Sequence, residues 1–396
     1  NQGDAIEVSY IGYAPQTLKV TDNNIYNIQL SADAELLEEV VVTALGIKRK
    51  SKALGYNLTE VKSDEITTVK DANFVNSLTG KVAGLQINSS SSGIGGSTKV
   101  VMRGVKSISK SNNVLYVVDG VPLNNTNGGD VEKNQGFYTA APKGEGIADF
   151  NPEDIESMSV LTGPAAAALY GSNAANGAIL ITTKKGAAGK PKITLSHNTD
   201  FSNPFVTPRF QNTYGNKPGE FSSWGDKLAT PSSYDPLNFF RTGYNTTTAL
   251  SISLGNEKNQ TFASASSTTA EGIIPNNEYQ RYNFTVRNTS NFFNDRMTLD
   301  LGFSYVIQKD QNMLSQGQYF NPIVPLYLFP RGEDFTPYRM YERYDEGRQL
   351  MTQHWPYGEM GMAMQNPYWI INRNMFNNDR DRYMANAGLK YKVFDW

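Results

Sequence analysis

Side chains suited to covalent or acid–base chemistry are scarce in this 396-residue chain. There is no cysteine and there are two histidines, His197 and His354, which excludes disulfides and thiolate metal sites and leaves no basis for a histidine-based catalytic or zinc centre. No nucleophile, proton-transfer group and orienting group stand together in a recognisable arrangement, so the sequence speaks against an enzyme, and neither a metal nor a cofactor is expected. Hydrogen bonding and ion pairing remain, and three places offer them. The first is EEVVVTALG, in which Glu39, Val40, Val41, Val42, Thr43 and Ala44 form a short run of β character whose backbone N–H and C=O groups need a partner strand. The second is Arg103 in VVMRGV, where a guanidinium can pair with a carboxylate or can simply pack. The third is the pair Phe137 and Tyr138 in a loop rich in Asn and Gly, together with thirteen aromatics between 311 and 381. Aromatic faces beside amides suit sugar rings, although most loop aromatics pack their own loop.

Composition narrows the partners. With 36 basic residues against 38 acidic ones, and no basic run longer than KRK at 48 to 50, a nucleic-acid partner is not expected. No apolar run reaches the roughly 18 residues of a transmembrane helix. A transmembrane β-barrel alternates apolar and polar residues and stays compatible with the mean hydropathy of −0.46. The chain opens directly on strand pattern, so an export signal is expected to lie upstream or to have been removed.

The elements carrying these residues change character along the chain. EVSYIGY, TLKV and YNIQL read as strands of a small β-domain, and a charged linker containing EEVVVTALG comes next. From about residue 58 the pattern is mixed α and β. DANFVNSLTGKVAGLQI predicts a helix capped by Asp71 and stopping near Gly84, with Phe74, Leu78, Val82 and Leu85 at helical spacing. VVMRGV and VLYVVDGVPL predict strands broken at Arg103-Gly104 and Asp119-Gly120; NPEDIESMSVL reads as a helix with Asn151 as cap and Pro152 in first position; GPAAAALYG is a short helix and GAILITTKKG a strand.

Beyond residue 190 the period becomes two. In RMTLDLGFSYVIQ, Met297, Leu299, Leu301, Phe303, Tyr305 and Ile307 share one face, with Thr298, Asp300, Gly302, Ser304 and Gln308 on the other. KITLSHNT, TALSISLG, TFASASST, YNFTVRN and YMANAGLKYKV bring the count to six strands. The longer connections come after the first, third and fifth strands, and tight turns after the second and fourth. Long loops at one end and short turns at the other predict an outer-membrane barrel with a polar interior, ahead of a soluble sandwich.

LYVVDGVPL, NPEDIESMSVLTGPAAAALYGSNAANGAILITTKKG and EEVVVTALG together resemble the SusC/RagA family of TonB-dependent outer-membrane transporters. The resemblance implies a mainly β fold: the end of a carboxypeptidase-regulatory-like β-sandwich at 1–31, a linker with the TonB box at 32–57, an α+β plug domain at 58–188, and the first six strands of an about 22-stranded barrel, incomplete, at 189–396. It further implies that residues 39 to 44 pair with TonB, driven by ExbB and ExbD, by β-augmentation; a structural strand packed in the preceding sandwich is the other reading. Arg103 would bridge plug and barrel, Phe137 and Tyr138 would meet cargo, and a SusD-like surface lipoprotein would act as lid. The expected activity is import of oligosaccharides across the outer membrane, with the plug and N-terminal domain facing the periplasm. Peptide import, a stand-alone siderophore or cobalamin receptor, and a non-transporting surface scaffold are the alternatives.

Overall fold

The computed structural model describes residues 5–8, 16–19, 28, 40–42, 48–50, 58–67, 71–89, 92–108, 111–125, 144–315, 317–357 and 365–394. Two short antiparallel pairs come first: β1 (Ala5–Val8) with β2 (Gln16–Lys19), and β3 (Val40–Val42) with β4 (Lys48–Lys50).

An α+β unit comes next. Its elements are β5 (Leu58–Lys62), α1 (Ser63–Thr67), β6 (Leu85–Asn88), β7 (Lys99–Met102), β8 (Leu115–Val118), β9 (Val121–Pro122), β10 (Ile155–Leu161), α2 (Gly163–Tyr170) and β11 (Ala178–Thr183). Five strands form one sheet in the order β5-β10-β11-β8-β9, parallel only between β11 and β8, while β6 and β7 pair separately. The sheet's centre is apolar on both faces, and Val61, Ile66, Phe74, Leu78, Tyr116, Met158 and Ile179 make one buried core with their neighbours.

Two local expectations are corrected. The helix predicted from Asp71 to Gly84 is a single 3-10 turn, Phe74–Leu78, capped by Asn73, whose Oδ1 accepts from the Val75 amide at 3.2 Å. Asp71 stands two residues before the cap, accepting from the Asn73 amide at 2.8 Å. Gly84, at φ +76°, takes a left-handed conformation that ends any helical run, and Leu85 starts a strand. Likewise Asn151 caps as expected, accepting from the Glu153 amide at 3.2 Å, but the turn ends at Asp154 and IESMSVL becomes β10. Lying between β5 and β11, that strand is buried on both faces, so no alternation separates it from a helix.

The second unit is a six-stranded antiparallel meander: β12 (Gly189–Ser202), β13 (Gly243–Gly255), β14 (Asn259–Glu271), β15 (Glu278–Phe292), β16 (Met297–Gln311) and, after an excursion containing α3 (Ile323–Leu328), the hairpin β17 (Glu342–Asp345) and β18 (Leu350–Gln353), and α4 (Pro367–Arg373), the last strand β19 (Asn377–Tyr391). Each of the six has 13 to 15 residues, beyond the 9–11 or so that cross a bilayer at a tilt. The sheet is open among the described residues, with β12 and β19 at its edges. Connections 203–242, 272–277 and 312–376 lie at one end, and 256–258 and 293–296 at the other. One face exposes Leu250, Phe284, Val286, Leu301 and Phe303; the opposite face carries the buried Thr268, Arg281, Asn283, Arg287, Gln308 and Asp310.

Candidate functional site

The polar face of the meander grips the α+β unit through guanidinium groups. Arg287 on β15 sits between two carboxylates: its Nε and Nη2 make a fork to Asp300 on β16 at 2.9 and 2.8 Å, while Nη1 reaches Asp119 Oδ2, in the β8–β9 turn, at 2.9 Å. Asp119 is held for this by its own strand neighbours, accepting from the Thr183 amide at 3.0 Å and the Thr183 hydroxyl at 2.6 Å. Its positive φ of 49° belongs to the tight turn that DGV was expected to make. Lys185, just past β11, adds a 2.6 Å bridge to Asp300.

A second anchor centres on Asp149, fully buried at the end of the 3-10 turn Gly146–Asp149. Arg380 and Arg382 of β19 both pair with its carboxylate, the latter at 2.9 Å, and Asn283 donates to its carbonyl. Arg281, 2% exposed, donates to the backbone carbonyls of Ala72, at 3.0 Å, and Ala148. Buried charges of this kind are stable only when paired and hydrogen-bonded, so the anchors fix where the two units meet. Shape reinforces them: at Gly95, φ +79°, an added Cβ would lie 2.5 Å from the Tyr279 ring.

Glu145 ties the near side of the α+β unit together. It accepts from the Thr98 amide at 2.9 Å, Asn73 Nδ2 at 2.6 Å and Asn125 Nδ2 at 3.0 Å. Asp154, 5% exposed, faces the meander at the start of β10, and burial lifts its carboxyl to about 6.

The residues singled out from sequence fall in different places. Val40–Val42 is a strand as expected, and its partner here is Lys48–Lys50, in the register Val40↔Lys50, Val41↔Arg49, Val42↔Lys48. Glu39, Thr43 and Ala44 lie outside the described residues, as do Phe137 and Tyr138. Arg103 is exposed at φ +54°, its amide donating to the Gly84 carbonyl at 2.7 Å, and it pairs with no carboxylate among the described residues. The seam is bridged instead by Arg281, Arg287, Arg380 and Arg382, which sequence reasoning missed. A signal existed: in YQRYNFTVRN and DRDRY the arginines fall on the polar face of an alternating strand, where a charge facing inward needs a partner.

The aromatic loops also resolve into structure. Phe239, Leu326, Phe329, Phe335, Trp355, Tyr357 and Ile371 form a separate buried core joining 203–242 to 312–376 and closing over Ile274.

Comparison with known proteins agrees with this architecture. Residues 50–178 match the family model described as TonB-dependent Receptor Plug Domain. The chain is 29% identical over 405 residues to the TonB-dependent receptor SusC of Bacteroides thetaiotaomicron, an alignment covering 99% of this chain and 38% of that protein. In fold it is similar to the RagAB peptide importer in the open-open state, with a TM-score of 0.63 at 21% identity over 90% of this chain and 41% of that one. A second structure, of the RagAB peptide transporter, gives 0.63 at 20% identity over 87% and 40%. Residues 50–178 are thus a plug domain of the TonB-dependent receptor type, set against strands of β-barrel pattern, and the chain spans about two fifths of the length of the relatives it matches. Within that class the chain is SusC/RagA-like.

Proposed function

We propose that this chain is the plug, coupling linker and first barrel strands of an importer that carries oligosaccharides across the bacterial outer membrane, powered by TonB with ExbB and ExbD and covered by a SusD-like surface lipoprotein. On this reading residues 1–31 end a β-sandwich, 32–57 form the linker with the TonB box, 58–188 are the plug and 189–396 begin the barrel, with plug and N-terminal residues facing the periplasm. The observation that carries it is a plug held to the barrel wall by the paired arginines and carboxylates of Asp119 and Asp149, downstream of a strand, β3, that has one partner among the described residues and a second edge for another. TonB would add to that edge by backbone hydrogen bonds through Glu39, Val40, Val41, Val42, Thr43 and Ala44. The Asn- and Gly-rich sequence around Phe137 and Tyr138 favours a glycan. Peptide import is the second reading, favoured by the fold likeness to the RagAB peptide importer.

The test is backbone-specific. Val41→Pro removes a donor from β3 and should abolish energised uptake, with membrane insertion and cargo affinity unchanged; Val41→Thr keeps the donor and should be nearly silent. Arg49→Pro disrupts the β3–β4 pair without touching the TonB edge and should transport. Wild-type uptake by Val41→Pro would sink the assignment of this strand.

A further inference from the structure

The loop cap holds a cavity of about 380 Å³ between residues 228–239 of the first long loop and 331–339 of the second, a size that suits one or two sugar rings or a short peptide end. Arg331 forms its inner wall. The side chain is 4% exposed, its guanidinium carbon lies 4.5 Å from the Phe210 ring centroid and 4.9 Å from that of Tyr234, and Nη1 has no hydrogen-bond partner. No described carboxylate comes within ion-pair distance of it; the Tyr234 hydroxyl donates to the Leu326 carbonyl at 2.7 Å and keeps its oxygen beside the guanidinium, so the missing acceptor is that of Nη1 alone.

Ring contacts offset part of the cost of burying a guanidinium, but an N–H left without an acceptor still costs about 1–3 kcal/mol. A merely packing role between two rings would be filled as well by methionine, with no such penalty. The same cavity is bordered by Asp235, Glu333 and Asp334, with Arg339 beside them, and Glu333 accepts from Asn216 Nδ2 at 2.9 Å. One oxygen of each aspartate is engaged by a backbone amide, of Leu237 and Thr336, at 2.9 Å. Nη1 on the inner wall therefore lacks an acceptor, while each rim carboxylate, already holding one donor, has a further oxygen able to accept another. A bare anion satisfies the first and is repelled by the second. A ligand carrying a carboxylate with hydroxyl or N–H donors beside it satisfies both.

We propose that this cavity is a binding site for a carboxylate flanked by hydrogen-bond donors, the chemistry shared by a uronic-acid sugar and the C-terminal end of a short peptide, with Arg331 receiving the carboxylate. The site rests on the import reading only in placing the loop cap on the outer face. Calorimetry on the detergent-purified receptor, with no TonB present, reads binding separately from coupling, so failure of energised transport leaves it untouched. The probes are a galacturonate trimer against a galactose trimer, a tripeptide with free against amidated C-terminus, and inorganic phosphate. One of the two carboxylate ligands should bind at least tenfold more tightly than its neutral counterpart, and phosphate weakly. Arg331→Gln should remove that preference, and Asp235→Asn, which keeps the capping acceptor, should weaken binding severalfold. The proposal is overturned if neither carboxylate ligand binds, if the neutral counterpart binds equally, or if Arg331→Gln retains both the preference and the loop tryptophan fluorescence of the wild type.

Discussion

Arg287 Nη1 lies 2.9 Å from Asp119 Oδ2 and, through Nη2, 2.8 Å from Asp300 Oδ2, so one barrel side chain is shared between a plug turn and the neighbouring barrel strand. The sharing is asymmetric. Removing Asp119 leaves Arg287 with Asp300 and Asp300 with Lys185, whereas removing Arg287 strands Asp119 without a counter-charge. Because breaking a buried pair from one side costs about 3–5 kcal/mol, Arg287→Met should loosen the β8–β9 turn more than Asp119→Asn does. Hydrogen exchange of residues 115–122 in the inserted receptor measures this. In the double variant the losses should be less than additive, and strict additivity would mean the two residues do not interact.

Asp154 gives the plug a pH dependence of defined sign. Its carboxyl titrates near 6 in the folded protein, above its ordinary value of 3.8, because burial penalises the charge. A raised folded-state value stabilises the plug fully below the unfolded value and loses that stability as pH rises through about 6. Between pH 5 and 7 the opening of β10 should become about tenfold more frequent, some 1.4 kcal/mol. Exchange protection at 155–161, corrected for the intrinsic rate, reads this out, and Asp154→Asn should flatten the profile. A wild-type profile that rises across this interval would contradict the assignment.

Loop lengths set the orientation. With 203–242, 272–277 and 312–376 at one end of the meander and 256–258 and 293–296 at the other, the import reading puts the short turns on the periplasmic side. On intact cells an impermeant thiol reagent should label Lys217→Cys and spare Glu257→Cys. Labelling of the second position would invert the barrel.

The strands were legible because a sheet with one apolar face and one polar face writes period two into the sequence; β16 shows it from Met297 to Gln308. The seam was legible only as unexplained charges. Asp119 and Arg287 are 168 residues apart, and nothing local in DGV or TVRN says which carboxylate meets which guanidinium. Where burial is two-sided, as in β10, the pattern loses its period, and the helical turn at Pro152 makes the strand after it look like a continuation of the helix. The aromatics of this loop offered faces for sugar rings or packing for the loop itself, and the largest rings face one another. Their partners lie in two loops separated by four strands, a contact that composition alone does not announce.

That aromatic core yields a last prediction. Phe329, 1% exposed, stands at its centre, with ring centroids of Tyr234, Phe335, Trp355 and Tyr338 at 5.0, 4.9, 5.6 and 5.8 Å. Tyr234 comes from the first long loop and the other three from the second, so the ring joins them. Phe329→Ala removes a buried aromatic at a cost of about 3–5 kcal/mol, more than loops lacking a sheet ladder between them can absorb. Exchange protection should fall in 228–240 as well as in 323–357, tryptophan emission should shift to the red, and the strands from β12 to β16 should be unaffected because their ladder does not pass through the cap. Phe329→Leu, which keeps apolar volume, should retain most of the protection. If only the second loop loosens, the two loops fold independently, and the long connection between β16 and β19 does not organise the loop cap.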